Sequence, residues 1–510
     1  YNNNRKKEIG TGLSMKETGQ EHLNNADVQA SASDKQVPLC VDLDGSLILT
    51  DTLYESVAQL IKQNWLMAFM VPFWFFKGKA FLKNQLAKHC DLAVDRFPLH
   101  NDFKAWLETE KANGRRLVLV TGTHEKYANA FAQHIQLFDE VIATTPLVNC
   151  TSHNKANRLV EEYGERGFDY AGNHSVDANV WKFARHAIVV NASGAVISAA
   201  QNTALAVERV FPPQYKINFK VIRKALRVHQ WMKNLLIFVP LMTAHMFTSS
   251  AAIGSAIFAF IIMSICASAT YFINDLLDLE ADRNHHTKCN RPFASGAIPI
   301  NKGAMAAAAM LGFSFLSALI FMPFEFFFIL FSYLVLTLTY SLSFKRLQSL
   351  DVVSLAMLYT IRVLAGAAAI GVTVSFWLLA FSLFIFLSLG LVKRVSELQK
   401  LVEQNKTSVE GRGYEVADLP VLQSLGSASG YLAILVISLY IHSPEVSLLY
   451  DKPQILWLIC PILTVWITRI WVLTARGQVD EDPVEYAIKD RFTWAAGGIC
   501  LAILIIAAFA

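Results

Sequence analysis

The sequence predicts two architectures in one chain: an α/β domain built on a parallel sheet with an inserted cap, then an all-α bundle of membrane-spanning helices. The 510 residues are 54% hydrophobic and only 17% charged, more apolar than a soluble protein requires, and the excess lies between about Trp231 and Ala510. Between 37 and 200, short apolar runs end in polar loops and alternate with helical patterns, the arrangement of a Rossmannoid parallel sheet. The formal net charge of +4, with no basic stripe, excludes a nucleic-acid binder. Seven scattered cysteines give no disulfide or zinc signal.

Residues 1–36 are polar and rich in Asn, Lys, Glu and Ser, and are expected to be disordered. They lack the apolar stretch of a signal peptide, so the first domain is expected on the side of synthesis. That domain, 37–200, opens with Leu39-Cys-Val-Asp42-Leu-Asp44-Gly-Ser46, a short buried strand ending in two acids two residues apart and a turn glycine. The spacing suits an aspartyl nucleophile beside an acid/base. An insertion at about 53–112 occupies the place of a cap. Its run from Asn64 to Lys77 is too short to span a membrane and contains Pro72, and its aromatics suit an interfacial segment as well as ordinary cap core. A second strand, Arg116–Thr123, brings Thr121, a hydroxyl suited to phosphate. Lys155 opens a helical run, and a third strand, Phe168–Gly172, leads to Asn173 and Asp177. Residues 201–222 are expected to be linker.

The membrane domain is expected over 223–510. Nine candidate spans lie at about 234–248, 251–273, 303–320, 322–340, 352–371, 374–392, 422–442, 454–474 and 493–510. Positive charge falls in alternate loops: Arg223, Lys224, Arg227 and Lys233; Arg283, Lys288, Arg291 and Lys302; Lys345 and Arg346; Lys393, Arg394, Lys400, Lys406 and Arg412; Arg476, Lys489 and Arg491. The bias predicts a cytoplasmic N-terminus and an outside C-terminus. Polar groups cluster at one face rather than at mid-bilayer, which favours an enzyme over a transporter.

The run Asn274-Asp275-Leu-Leu-Asp278-Leu-Glu-Ala-Asp282-Arg283 places three acids on one side of a helix end. So many carboxylates together call for a cation, and hard oxygen ligands suit Mg²⁺ shared with substrate phosphates. This run, followed by Lys288-x-x-Arg291-Pro-x-Ala-Ser-Gly296, resembles the first aspartate motif of the UbiA prenyltransferase superfamily, a nine-helix intramembrane fold. Arg227-Val-His-Gln-Trp-Met-Lys233-Asn234 and Tyr340-Ser with Lys345, Arg346 and Asp351 resemble its flanking motifs. Aromatic prenyltransferases of the family carry a second acidic cluster. Here Leu391-Val-Lys393-Arg394-Val-Ser-Glu397 offers one acid beside two bases. That departure resembles the decaprenyl-phosphate phosphoribosyltransferase branch, whose donor is phosphoribosyl pyrophosphate and whose acceptor is a polyprenyl phosphate. The resemblance implies one Mg²⁺ on Asp275, Asp278 and Asp282 holding the pyrophosphate, with Asn274 beside it. Lys288 and Arg291 would take the sugar's 5-phosphate or the pyrophosphate, and Lys345, Lys393, Arg394 and Arg362 the lipid phosphate, with Lys233, Arg283, Tyr340 and Arg346 as further substrate-binding residues.

The order of motifs in 37–200 resembles the haloacid dehalogenase superfamily. The resemblance implies Asp42 as nucleophile, Asp44 as acid/base, Thr121 and Lys155 as phosphate-binding and charge-neutralising groups, and a second Mg²⁺ near Asp42, Asp44 and Asp177. Asn173 stands where that family usually has Asp, which weakens the metal site. The combined expectation is a bifunctional, multi-pass protein of a bacterial-type inner membrane, in contact with membrane lipids. It would make polyprenyl-phosphoryl 5-phosphoribose and then remove the 5-phosphate. An aromatic or quinone-precursor prenyltransferase with an inactive second domain, or a lipid carrier or scaffold, are the alternatives.

Overall fold

The computed structural model describes residues 37–403, 413–444, 446, 450–479 and 482–509. The expected disordered tail, 1–36, lies outside the described residues, as do Lys406 and Arg412. Two compact units emerge. Residues up to Asn218 together with Leu277–Asn301 form the first, and Phe219–Leu276 with Lys302 onward form the second.

In the first unit, β1 (Leu39–Val41), β2 (Leu117–His124), β3 (Glu140–Thr144), β4 (Asp169–Gly172), β5 (His186–Val190) and β6 (Ala206–Phe211) form one sheet in the order β3-β2-β1-β4-β5-β6. Every pairing is parallel. Strand periodicity sends Leu39, Val41, Leu117 and Leu119 into a core on one face. Cys40, Val118, Val120 and Tyr170 enter a core on the other. Burial on both faces explains why these strands are almost wholly apolar. α1 (Thr52–Gln63) and α2 (Lys79–His89) share a small core of their own in the cap, and the sheet faces are covered by helices that include α3 (Asn101–Ala112), α4 (Glu125–Ile135), α5 (His153–Tyr163) and α6 (Gly194–Thr203). Asp51 caps α1 by accepting from the amides of Leu53 and Tyr54. The three strands expected from sequence are all present. The expected linker is partly structured, because β6 completes the sheet and the Asn191 amide donates to Phe211 O at 2.9 Å.

The second unit is a helical bundle: α7 (Ser250–Leu277), α8 (Ile300–Phe321), α9 (Phe324–Leu342), α10 (Leu350–Ile370), α11 (Phe376–Glu403), α12 (Leu419–Ile441), α13 (Ile459–Ala475) and α14 (Arg491–Phe509). Among the described residues these eight helices are long and apolar enough to cross a membrane, so the protein is a multi-pass membrane protein. Where a first spanning α-helix was expected, at about 234–248, the chain instead forms a 3₁₀ segment, Val228–Phe238, and a short α-helix, Val239–Thr243. Pro240 has no N–H to donate, and a left-handed residue, His245 at φ 55°, stops the helix. Hydropathy counts apolar residues and is blind to both effects. The irregular backbone is buried against the bundle. A Cβ on Gly366 of α10 would stand 2.0 Å from the carbonyl oxygen of Ile237, the kind of close approach that small residues permit.

Candidate active sites

β1 lies between β2 and β4, so the loops leaving these three strands converge at the carboxyl edge of the sheet. Asp42 continues β1, its amide donating to Ala171 O at 2.9 Å. Gly45 then turns the chain at φ 76°, and the same glycine is needed because a Cβ there would meet Asn173 Nδ2 at 2.2 Å. Asn173 thus faces the Asp-x-Asp-Gly turn. The Asp42 carboxylate accepts from Lys155 Nζ at 2.7 Å and from Ser46 Oγ at 3.2 Å. Lys155 also donates to the Tyr170 hydroxyl at 2.7 Å, which donates to Asp177 Oδ1 at 3.2 Å. Asp177 Oδ2 is held by the amides of Asn173 and His174 at 3.0 and 2.9 Å. One continuous chain of polar contacts therefore runs Ser46, Asp42, Lys155, Tyr170, Asp177.

Asp44 has different neighbours. It accepts from the Thr52 amide at 2.8 Å and from Thr123 Oγ1 at 2.5 Å. Thr121 is fully buried, its hydroxyl accepting from the Thr123 amide at 3.0 Å. Burial pushes Asp42 up to about 6 even though Lys155 opposes the rise. Burial also raises Asp44, against the bonds from Thr123 and Thr52. A buried and a half-buried carboxylate on one turn, Asp42 and Asp44, with Asp177 and the Asn173 amide nearby, are the hard donor set that suits Mg²⁺. The donors fit.

Sequence reasoning did not find Lys83. This cap lysine on α2 donates to Gly122 O at 2.5 Å and to Asn149 Oδ1 at 3.0 Å. Together with Thr52, Ser56, Tyr127 and His124 it lines a small cavity beside Asp44, and His124 Nε2 is buried there without a hydrogen bond among the described residues. Burial lowers both Lys83 and His124. No motif marks Lys83, because it belongs to an insertion that only the fold brings back to the sheet. Tyr170 did carry a signal: a polar hydroxyl two residues before the end of an otherwise buried strand.

The predicted transferase residues fall in both units and are described within each. In the helical unit, Asp275 is buried at the end of α7 and ion-paired with Arg227, whose guanidinium lies 4.9 Å over the Tyr271 ring. Next to it the Asn274 Oδ1 is buried with no hydrogen-bond partner among the described residues, an orphaned acceptor that suits a cation or a hydrated metal ligand. Lys233 pairs with Asp482. Arg362 is buried, donating to Asn234 Oδ1 at 2.8 Å and lying 5.2 Å over the Tyr333 ring. Arg394 is engaged on three sides, by Asp351 at 2.5 Å, by Glu397, and by the Tyr340 hydroxyl at 3.1 Å. Tyr340 donates in turn to Asp351 at 3.0 Å. Lys393 is half-buried one residue earlier on α11, and Lys345 and Arg346 occupy a 3₁₀ turn after α9. The acids Asp351 and Asp482, distant in sequence, thus join a region where the local run displayed only Glu397.

In the first unit, the segment Leu277–Asn301 packs with the cap side of the α/β domain. Asp278 pairs with Lys62 of α1 at 3.1 Å. Asp282 is buried beside Arg291 at 2.7 Å, and burial raises its pKa against that pairing. Arg283, expected among the substrate-binding residues, bonds Glu55 of α1 at 2.5 and 3.3 Å, donates to Ala294 O at 3.1 Å, and lies 4.9 Å over the Phe97 ring. Lys288 is half-buried in a 3₁₀ turn of the same segment. Within the first unit Asp278 pairs with Lys62 and Asp282 with Arg291, and within the second Asp275 pairs with Arg227, so a cation at any of these acids would compete with its basic partner. Carboxylates and the orphaned Asn274 amide oxygen are hard donors of the kind that suit Mg²⁺.

The sequence profile of the UbiA prenyltransferase family matches residues 237–508. That of haloacid dehalogenase-like hydrolases matches 39–179. An uncharacterised protein of Sinorhizobium fredii is 34% identical over 478 residues, covering 93% of this chain and 92% of its own. The nodulation protein NoeC of Azorhizobium caulinodans is 32% identical over 278 residues, 54% of this chain and 89% of that protein. A decaprenyl-phosphate phosphoribosyltransferase of Mycobacterium tuberculosis is 31% identical over 272 residues, 52% of this chain and 87% of that protein.

Proposed function

We propose, for a chain that belongs to the UbiA prenyltransferase family and carries a haloacid dehalogenase-like domain, two successive reactions on one lipid. The membrane domain moves 5-phosphoribose from phosphoribosyl pyrophosphate to a polyprenyl phosphate of the decaprenyl type. The α/β domain then removes the 5-phosphate, leaving polyprenyl-phosphoryl ribose. The observation that carries the first step is the basic pair Lys393-Arg394 within α11, in a run that offers one acid where an aromatic prenyltransferase would need a second acidic cluster. The name of the mycobacterial relative supports the same reading.

In the transfer, an anionic oxygen of the polyprenyl phosphate attacks C1 of the ribose as the C1–O bond to pyrophosphate breaks, so no general base is needed. Asp275, Asp278 and Asp282 would hold Mg²⁺, which would supply positive charge for the leaving pyrophosphate. Asn274, Lys288 and Arg291 orient the donor, and Arg283 stiffens the loop through Glu55. Lys393, Arg394, Lys345 and Arg362 hold the lipid phosphate, with Lys233, Tyr340 and Arg346 as further substrate-binding residues and Arg394 oriented by Asp351, Glu397 and Tyr340. In the hydrolysis, the Asp42 carboxylate attacks phosphorus while Asp44 gives its proton to the departing 5-oxygen. Asp44 then takes a proton from the water that cleaves the aspartyl phosphate. Thr121 and Lys155 hold phosphate oxygens, and Asp42, Asp44, Asp177 and Asn173 would hold a second Mg²⁺ that would supply further positive charge.

The alternating loop charge supports cytoplasmic placement of both sites, with N-terminus in and C-terminus out. The 3₁₀ and α segments of 228–243 rise about 30 Å at ~2.0 and ~1.5 Å per residue, enough for a first, irregular crossing that keeps nine passes. Feeding the purified protein phosphoribosyl pyrophosphate with polyprenyl phosphate, and separately prenyl pyrophosphate with an aromatic acid, tests the assignment. Turnover of the first pair alone is expected. Turnover of the second alone would make the chain an aromatic prenyltransferase, and neither would favour a carrier or scaffold.

A further inference from the structure

We propose that the tip of the cap, Trp65–Phe76, inserts into the headgroup layer of an anionic bilayer and so holds the phosphatase-like site at a lipid surface. Isolated exposed apolar residues need no explanation, but a dense patch does. Within these twelve residues Trp65, Leu66, Phe69, Phe73, Phe75 and Phe76 are all exposed, Phe76 to 86%. The patch is held out rather than loosely folded. Trp74 is buried, stacks on His89 with ring centroids 5.9 Å apart, and joins Leu60, Leu82, Leu86 and Cys90 in a small separate core. That core fixes the two short helices, Trp65–Ala68 and Val71–Phe76, with their other faces outward.

Length and charge name the occupant. Twelve helical residues rise about 18 Å, well short of a ~30 Å hydrocarbon core, so the segment lies in an interface and does not span. From Ser56 to Cys90 there is no Asp or Glu, while the exposed Lys77, Lys79 and Lys88 flank the patch. An apolar face fringed only by lysine matches anionic headgroups. The same fringe would repel its own copy across a two-fold interface, where like surfaces meet. Eight bilayer-length helices in the same chain make a bilayer part of its surroundings.

The test uses the full chain in nanodiscs of phosphatidylglycerol and phosphatidylethanolamine. Five of the seven cysteines are buried, so Cys289→Ser and Cys500→Ser leave a background in which Phe73→Cys takes an environment-sensitive fluorophore. Blue-shifted emission, quenched more by lipids spin-labelled near the headgroup than by lipids labelled at the chain end, is expected. Water-like, unquenched emission overturns the proposal. Blue-shifted emission that lipid labels do not quench also overturns it and assigns the patch to a protein partner or a second copy. A second readout rests on the phosphatase reading. Phe69→Asp with Phe76→Asp should slow release of phosphate from a lipid-linked phosphomonoester about tenfold and leave soluble ribose 5-phosphate unaffected, since interfacial apolar contacts act only on the lipid substrate. Equal losses on both substrates would contradict it. Quenching without hydrolysis of either substrate would keep the lipid contact and remove the phosphatase reading.

Discussion

Asp42 and Asp44 are two residues apart, yet their neighbours give them different tasks. Lys155 and Ser46 hold Asp42 as a carboxylate, while the bonds to Asp44 come from two threonines and its nearest basic group is Lys83. For phosphate release to run, Asp42 must be ionised and Asp44 protonated. Its rate should therefore fall as the pH drops through about 6, where Asp42 takes up its proton, and fall again at higher pH as Asp44 loses its own. A pH profile with no acid limb between about pH 5 and about pH 7 would contradict these roles. Asn173 faces the same turn through Gly45, and a carboxylate there would add a charged ligand. Asn173→Asp should lower the Mg²⁺ concentration for half-maximal phosphatase activity about tenfold, the effect of roughly 1.4 kcal/mol, and an unchanged magnesium titration would remove Asn173 from the site. At this scale the sequence exposed Asp42, Asp44, Thr121, Lys155 and Asp177, because each sits at the carboxyl end of a strand or opens the helix behind it. Lys83 was hidden because its place depends on how the cap folds back.

At the scale of elements, the segment Leu277–Asn301 belongs with the α/β unit, although its motif was expected to act only within the bundle. The reason is chemical. Arg283 and Glu55 are both only 6% exposed and meet as a forked ion pair. Breaking such a pair strands a buried charge, so Glu55→Gln should destabilise the first unit by about 3–5 kcal/mol in thermal or denaturant unfolding. A shift below about 1 kcal/mol would mean the pair behaves as an exposed one. In the bundle, Gly366→Ala should push α10 off the 3₁₀ segment, costing about 3 kcal/mol or preventing folding, read as loss of monodisperse protein after extraction. The eight regular spans were legible because hydropathy alone identifies them. The first expected span was not, since its form depends on Pro240, His245 and burial of its backbone against α10. The partners of Asp351 and Asp482 were hidden too, as these acids reach Arg394 and Lys233 only after the helices pack.

At the scale of the whole chain, a transferase of the UbiA family and a haloacid dehalogenase-like domain are joined, and a relative matching along more than nine-tenths of both chains shares the arrangement. Fusion is useful when one domain's product is the other's substrate, and a phosphoribosylated lipid is a substrate of that kind. The parallel sheet, the helical bundle and the division between them were legible from periodicity and composition. Substrate identity was not, because it depends on which anionic groups the basic side chains meet. The most direct test is the mass of the lipid made by the full-length protein from phosphoribosyl pyrophosphate and polyprenyl phosphate. The wild type should yield polyprenyl-phosphoryl ribose, and Asp42→Asn the same lipid heavier by one phosphate. A wild-type product that keeps the 5-phosphate, or a lipid that carries no ribose, would contradict the account.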